Sequence, residues 1–313
     1  MQKSTLKQRF KSVRKKVKYA LLYPFIKLLL WQAKAFPRKF ILIMYKRLGL
    51  LAYYLFPDQR ALVVSHYNYA FDTKMTPKEA NAFNKKLFAN IATNTADLFR
   101  ATGYNKKEDY HRWIDYEGWH HLENAFQEGN GVVILTCHMG AFDLVGRILA
   151  VQYPTNIIVR EHRNPKLNDL LMQNRTKLGA KVFYSGDSML KVVRLLNKGE
   201  IVIILIDQDI ARMKGVFVDF FGKQAYTPIG ATWLALNTKA KVVPMTIRQK
   251  RDYRHQVTVC QPIPVTKTGN KEQDLLENTA RFSKSLEDLI KQDPAQWTWM
   301  HRRWRTKPED LKK

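Results

Sequence analysis

The residues best suited to chemistry lie in the stretch GVVILTCHMGAFDLVGRILA, residues 131–150. An apolar, β-branched run leads to His138, and Asp143 follows as a helical pattern begins. On one straight helix the two side chains would lie about 140° apart, so they can meet only if the chain bends between them. Gly140 permits such a bend because glycine tolerates unusual backbone angles. We therefore predict that Asp143 orients the His138 imidazole, which takes a proton from an attacking hydroxyl or amine.

Neither a protein nucleophile nor a metal is predicted. The substrate can supply its own nucleophile, and Cys137 faces away from His138 because adjacent residues at a strand end point in different directions. Cys137 and Cys260 have no metal or disulfide spacing, so we expect packed thiols in a reducing compartment. No metal site or cofactor is expected. His120, His121 and His301 have no partner residue at a spacing that is typical of metal ligands.

The elements that must position this pair alternate between strands and helices. Apolar runs such as GVVILT, NIIVR, KVFY and IVIILI are each followed by a helical or loop pattern, and KVVPMTIR and HQVTVCQPI form a final hairpin. Such strands with helical crossovers are typical of an α/β fold with a mostly parallel or mixed central sheet flanked by helices. The ligand crevice of such a sheet lies beyond the carboxyl ends of its strands.

Polar side chains collect at those predicted strand ends. One strand leads to His138, the next ends in Arg160, and a later strand ends in Asp207-Gln208-Asp209. A histidine, an arginine and several carboxylates at one edge of a sheet indicate a functional site rather than ordinary loop polarity.

Charge sets the amino-terminal segment apart. The chain has 53 Lys and Arg against 27 Asp and Glu, a net charge of +26. Residues 1–57 hold 14 of these basic residues and no acid, which predicts a negatively charged partner. Apolar positions in this segment step by three and four residues, as in a helix lying in a lipid interface: Leu6, Phe10, Val13, Val17 and Leu21.

The apolar runs of this segment are short. Lys27 interrupts the first and Lys46-Arg47 the second, so neither reaches the roughly 18 to 20 residues of a spanning helix. Pro24 and Lys27 also argue against a cleaved signal peptide. We predict that residues 1–57 form a membrane-associated helical anchor, with a single spanning helix as the alternative, and that residues 58–313 form the catalytic domain.

The closing stretch QWTWMHRRWRTKPED has two interpretations. Trp297, Trp299 and Trp304 alternate with arginines, which is typical of an aromatic belt over anionic headgroups or of a nucleic-acid stacking surface. The amino-terminal anchor favours an anionic membrane surface, and no nucleic-acid partner is expected.

Five blocks resemble the bacterial lipid A biosynthesis acyltransferases of lauroyl and myristoyl type, within the glycerolipid acyltransferase superfamily. LTCHMGAFD is similar to the H-x-x-x-x-[DE] box of that superfamily. KRLGLLAYYLF resembles the membrane segment, VREHRNP the second block, LIDQDIARMKGVFVDFFGKQAYTPIGATWLALNTKAKVVPMTIR the third and QWTWMHRRWRTKP the closing signature. The resemblance covers most of the chain.

The resemblance implies roles for individual residues. His138 is the implied general base and Asp143 its orienting carboxylate. Arg160 is implied to bind a phosphate or to polarise the acyl carbonyl, which suits a permanently charged guanidinium. The remaining residues are implied to line or shape the substrate pocket: Asn164, Asp207, Gln208, Thr227 and Pro244.

The implied reaction is attack by a lipid hydroxyl on an acyl thioester, which yields an O-acylated lipid and a free carrier thiol. The resemblance implies acyl carrier protein as the donor, which as an acidic protein would also suit a basic surface, and acyl-CoA is the alternative. Asp143 stands where the lipid A branch commonly has glutamate, so the acceptor stays open among a lipid A precursor, another glycolipid, a glycerophospholipid and an aminoacyl lipid. The implied location is the cytoplasmic face of a bacterial inner membrane. The rival hypothesis is a non-enzymatic basic membrane or nucleic-acid binding protein.

Overall fold

A seven-stranded sheet lies at the centre of the computed structural model, which describes residues 22–162, 164–184 and 188–311. The strands within these residues are β1 (Ile114–Glu117), β2 (Val132–Thr136), β3 (Thr155–Val159), β4 (Lys181–Tyr184), β5 (Ile201–Leu205), β6 (Gly215–Phe220), β7 (Lys223–Pro228), β8 (Lys241–Gln249) and β9 (His255–Val259). Strands β6 and β7 form a separate antiparallel ribbon.

Helices surround this sheet. They are α1 (residues 22–35), α2 (Arg38–Leu55), α3 (Pro57–Phe71), α4 (Pro77–Ala101), α5 (Lys107–His111), α6 (Trp119–Gln127), α7 (Asp143–Ala150), α8 (Pro165–Thr176), α9 (Met189–Leu196), α10 (Gly230–Asn237) and α11 (Lys271–Gln292). Two short 3₁₀ turns, Pro294–Gln296 and Pro308–Leu311, follow α11.

The sheet has the order β1-β9-β8-β2-β5-β3-β4, and its pairs are parallel except the β8–β9 hairpin. The central strand β2 is buried along its whole length. Val133 and Leu135 pack into the core on one face of the sheet, whereas Val132 and Ile134 pack into the core on the other. A sheet covered on both faces needs such continuous apolar strands, and the predicted α/β class is confirmed.

Helix α2 packs one face against α4 and leaves the other exposed. Ile41 and Tyr45 are buried in this contact, and Arg38 forms a bidentate ion pair with Asp97 at 2.7 and 2.8 Å. The opposite face exposes large apolar side chains, Phe40, Ile43, Leu51 and Tyr54, which we call the α2 stripe. The described part of the predicted anchor therefore both packs on the remaining chain and presents apolar surface.

No single helix among the described residues is both long enough and apolar enough to cross a membrane. Helices α2 and α3 are long and apolar enough only as a pair, and the two are bent by 90° relative to each other. The predicted amphipathic stretch from Leu6 to Leu21 lies outside the described residues. The boundary between residues 57 and 58 stays a prediction.

The carboxyl-terminal tryptophans are core residues, so both surface interpretations of this stretch were wrong. Trp297, Trp299 and Trp304 are buried, and their indole N–H groups donate to Asp207 and to two backbone carbonyls. The alternation of tryptophan with arginine suggested an exposed surface, but Arg303 is buried as well. Its guanidinium donates to the Tyr226 carbonyl. Burial of hydrogen-bonded indoles leaves no exposed aromatic belt in this stretch.

Candidate active site

The bend predicted at Gly140 joins strand β2 to helix α7. Gly140 has a φ of 58°, and a Cβ atom there would lie 2.1 Å from the Ile247 carbonyl oxygen, so only glycine fits. The backbone N–H of Gly140 donates to the Gln296 carbonyl at 2.9 Å. Thr298 donates its backbone N–H and its hydroxyl to the His138 carbonyl at 3.1 and 2.9 Å. The carboxyl-terminal segment thus fixes the loop that carries His138.

The carboxylate that orients His138 is Asp207. Its Oδ1 lies 2.8 Å from the imidazole Nδ1, and its Oδ2 accepts from the His138 backbone N–H at 2.9 Å. The Trp297 indole N–H donates to the same Oδ2 at 2.8 Å. Because a carboxylate only accepts hydrogen bonds, Nδ1 carries the proton, and Nε2 is left as the basic nitrogen.

Strand register explains this pairing. Strands β2 and β5 are parallel neighbours with Thr136 opposite Leu205. Two residues beyond that pair, the segments that follow β2 and β5 place His138 beside Asp207 at the carboxyl edge of the sheet. A carboxylate at this position needs no bend to reach the imidazole.

Asp143 occupies a different position from the predicted one. Its Oδ1 accepts from Arg175 Nη2 at 2.8 Å and from Arg175 Nε at 3.2 Å. Asp143 starts helix α7, and that first turn faces Arg175 near the end of α8. The predicted hydrogen bond between Asp143 and the imidazole is therefore corrected, although both residues line the same cavity.

The electrostatics of the pair favour a basic imidazole. Burial lowers the pKa of His138, but the charge and hydrogen bond of Asp207 and the charge of Asp143 outweigh it, so the pKa lies above 6.5. Burial raises the pKa of the Asp207 carboxyl, whereas His138 and the Trp297 N–H lower it to about 2. Asp207 is therefore ionised and able to stabilise an imidazolium.

A cavity of about 690 Å³ opens in front of His138. Arginines surround part of it, namely Arg160, Arg175, Arg212 and Arg305. The ends of β3 and β5 and the loop after β5 supply apolar wall, with Ile157, Ile158, Val159, Ile204, Leu205, Ile210 and Met213. Permanently charged groups beside an apolar wall suit a ligand that has both an anionic or polar part and a hydrocarbon part.

The other predicted site residues divide into two groups. Arg160 and Gln208 line the cavity with His138. Asn164 does not line it, because its side chain caps helix α8 by accepting from the Leu167 N–H at 3.1 Å. Thr227 is fully buried, where its hydroxyl donates to the Ala225 carbonyl and accepts from Arg303.

Pro244 and Cys137 have structural positions as well. Pro244 lies within β8 opposite Leu135 in the middle of the sheet and is not among the residues that line the cavity. Burial and the nearby Asp207 charge raise the pKa of the Cys137 thiol far above its usual range, so the reactive thiolate is disfavoured. Among the described residues, no group of three His, Cys, Asp or Glu side chains could hold a metal ion.

Three residues of the site were not among the predicted site residues, although Trp297 and His301 were given other roles. Arg175 and Trp297 hold the two carboxylates, and His301 lines the cavity while its Nε2 accepts from the Asp209 N–H at 2.9 Å. Burial lowers the pKa of His301, so it is neutral near pH 7. The roles of Arg175 and Trp297 become visible only in the tertiary structure, because neither residue lies near its partner in the sequence.

The family model of bacterial lipid A biosynthesis acyltransferases matches residues 7–306. This chain belongs to that family. Its members transfer acyl groups, so the predicted resemblance and the predicted class of enzyme, an acyltransferase, are both confirmed.

Several relatives are similar to this chain. A lipid A biosynthesis acyltransferase of Haemophilus influenzae is 26% identical over 268 residues, which cover 85% of this chain and 82% of the relative. The lipid A biosynthesis lauroyltransferase of Escherichia coli is 28% identical over 64% of both chains, so the chain spans just under two thirds of that relative. A phosphatidylinositol mannoside acyltransferase of Mycobacterium tuberculosis is 32% identical over 41% of this chain and 42% of the relative.

Proposed function

We propose that this acyltransferase moves a fatty acyl chain from an acyl thioester to a hydroxyl of a lipid A precursor or a related glycolipid, with His138 as the general base. The observation that carries the proposal is the His138–Asp207 pair, whose histidine lines a cavity with arginine and apolar walls. The names of the H. influenzae and E. coli relatives support a lipid A-type acceptor.

The reaction begins at the unprotonated Nε2 of His138. This nitrogen takes the proton of the acceptor hydroxyl while the hydroxyl oxygen attacks the thioester carbonyl carbon. The buried Asp207 carboxylate stabilises the resulting imidazolium. As the C–S bond of the tetrahedral intermediate breaks, the imidazolium returns the proton to the leaving thiolate. The products are an O-acylated lipid and a free thiol, and the imidazole is neutral again.

The arginines of the cavity provide positive charge where the reaction needs it. Arg160 lies at the carboxyl end of β3 and lines the same cavity as His138. We assign it to a phosphate of the substrate or to the developing oxyanion, since a guanidinium offers several donors in a fixed plane. In this proposal Asp143 acts indirectly, because it holds Arg175 at the cavity wall by an ion pair.

The donor and the location belong to the same proposal. We favour acyl carrier protein as the donor and keep acyl-CoA as the alternative, because a chain with net charge +26 attracts an acidic protein. The exposed α2 stripe and the basic residues 1–57 support association with the cytoplasmic face of a bacterial inner membrane.

An acyl-transfer assay with purified protein tests this function. Acyl carrier protein or CoA carrying a lauroyl or palmitoleoyl chain is mixed with a lipid A precursor, and thiol release and acylated lipid are followed. Replacement His138→Ala should reduce the rate by about 10²–10⁴-fold, the usual contribution of a general base. The matched control His120→Ala changes an exposed histidine on α6 and should leave the rate unchanged. Full activity of His138→Ala would refute the proposed base.

A different glycolipid acceptor is the second candidate. It is favoured by the M. tuberculosis relative, whose name specifies a phosphatidylinositol mannoside. Mass spectrometry of lipids from cells with and without the gene identifies the acceptor and the acyl chain together. Loss of one acyl chain from a lipid other than lipid A would support this second candidate.

A further inference from the structure

A second cavity, of about 710 Å³, lies between α2, α4 and the turn that joins β8 to β9. It shares no lining residue with the cavity in front of His138. Six basic residues line it, and we call it the basic cavity: Lys46, Lys85, Lys86, Arg248, Lys250 and Arg251. Asp293 is the one acidic residue among its described lining residues.

Most of this positive charge is not neutralised by the protein. Asp293 pairs with Lys86 at 3.0 Å, and Lys250 pairs with Asp115 at 2.6 Å. The other four basic residues form no ion pair within the described ranges. The Nε atom of Arg248 is buried and has no hydrogen-bond partner there. Buried donors are normally satisfied, so this N–H is available to an acceptor supplied by a ligand or by water.

The basic cavity lies beside the α2 stripe. Lys46 and Leu50 line the cavity and are one turn apart on the same helix that exposes Ile43 and Leu51. A ligand at this position therefore meets cationic groups in a concavity and apolar side chains on the adjacent helix face. An anionic lipid has both parts, whereas a purely polar anion has no use for the stripe.

The cavity also borders the support of the catalytic loop. Gln249 and Gln296 line it, and the Gln296 side chain donates to the Gln249 carbonyl at 2.9 Å. The backbone carbonyl of the same Gln296 accepts from Gly140, two residues from His138. An occupant thus contacts the residue that holds the bend of the candidate active site.

We infer that the basic cavity binds the phosphate-bearing headgroup of an anionic membrane phospholipid, with the α2 stripe against its acyl chains. The concave shape and the adjacent apolar stripe favour a lipid over an acidic carrier protein, because a lipid has both an anionic headgroup and hydrocarbon chains. The inference rests on the proposed membrane association and is independent of the proposed acyl-transfer chemistry.

Vesicle cosedimentation of the full chain tests this site. The probes are vesicles of phosphatidylcholine alone and vesicles that also contain phosphatidylglycerol. The double variant Lys46→Gln/Arg251→Gln removes two exposed cavity charges and should weaken binding to the anionic vesicles by roughly 10- to 30-fold, as expected for two basic residues at a membrane surface. The matched control Arg194→Gln/Lys198→Gln removes two exposed charges on and just after α9 and should change binding less than about twofold.

Several outcomes overturn the inference. Equal losses in the two double variants would show that only net charge matters. Wild-type vesicle binding by the cavity variant, with loss of acyl carrier protein binding, would make the cavity a protein-docking surface. Binding of inorganic phosphate without any change in vesicle binding would make it a site for a free anion. The variant His138→Ala should bind anionic vesicles like the wild type, so failure of the acyl-transfer proposal is distinguishable from failure of this one.

Discussion

The two cavities at the carboxyl edge of the sheet differ in the number of carboxylates that accompany their cations. In front of His138, the carboxylates are matched: Asp207 holds the imidazole and Asp143 holds Arg175. In the basic cavity four of the six cations form no ion pair within the described part of the chain. A matched pair is suited to moving a proton reversibly, whereas unmatched cations are suited to holding an anion that arrives from outside. The comparison predicts that mutations in the two cavities affect different measurements.

The largest effect on the rate is expected when the carboxylates of Asp207 and Asp143 are replaced one at a time. Asp207→Asn should reduce the rate of thiol release by about 10²–10⁴-fold, because the amide cannot stabilise an imidazolium. Asp143→Asn keeps a side chain of the same size and should cost about tenfold or less, since it weakens only the support of Arg175. A larger loss for Asp143→Asn than for Asp207→Asn would restore the original sequence-based assignment.

The pH dependence of the rate is the next test. A general base must be neutral, and the pKa of His138 is raised above 6.5, so the rate should fall on the acid side with a midpoint above pH 6.5. In Asp207→Asn the residual activity should show a midpoint at lower pH. For stability the sign is opposite: a group with a raised pKa stabilises the fold most below pH 6.5, and this contribution is lost as pH rises through the folded-state pKa. The difference in Tm between the two proteins across pH measures it.

A smaller effect is expected at the indole that donates to Asp207. Trp297→Phe removes one of the hydrogen bonds to a buried carboxylate, which should cost about 1–3 kcal/mol of stability. The rate should fall by roughly tenfold if about 1.4 kcal/mol of that loss appears in the transition state. Thermal unfolding and kcat measure the two quantities. The nearby Trp299→Phe, whose indole donates to a backbone carbonyl, is the control and should lower stability without moving the pH midpoint.

The smallest effect on the rate is expected from mutations in the basic cavity. In detergent solution, with a soluble acyl thioester, Lys46→Gln/Arg251→Gln should retain the wild-type rate of acyl transfer to within about twofold, because neither residue lines the cavity in front of His138. A rate measured without a membrane reports only the first cavity. A large loss under these conditions would mean that the two cavities do not act separately.

The strands of the sheet could be predicted from the sequence because each strand is recognised by its own composition. Runs such as VVILT and IVIIL are apolar and β-branched throughout, and strands buried on both faces need that composition. The bend at Gly140 was also readable, since glycine sits between a strand pattern and a helix pattern. These features depend only on residues a few positions apart.

The partner of His138 could not be chosen in this way. The interval to Asp143 is short and visible, whereas Asp207 becomes a neighbour only through the pairing of β2 with β5. The sequence did place both His138 and Asp207 at strand ends, but the order of strands in the sheet was not available from local patterns. The buried Trp297 and Arg303 show the same limit, because an alternation of tryptophan and arginine does not reveal which side of the chain faces the core.

The clamp between the catalytic loop and the carboxyl-terminal segment has a consequence for biosynthesis. Thr298 holds the His138 carbonyl, Gln296 holds Gly140, and Trp297 holds Asp207. A nascent chain that has already exposed strand β2 therefore lacks the contacts that fix the loop of His138 until residue 298 has left the ribosome. Acyl-transfer competence should therefore appear only late in translation, and shorter partial chains should lack it.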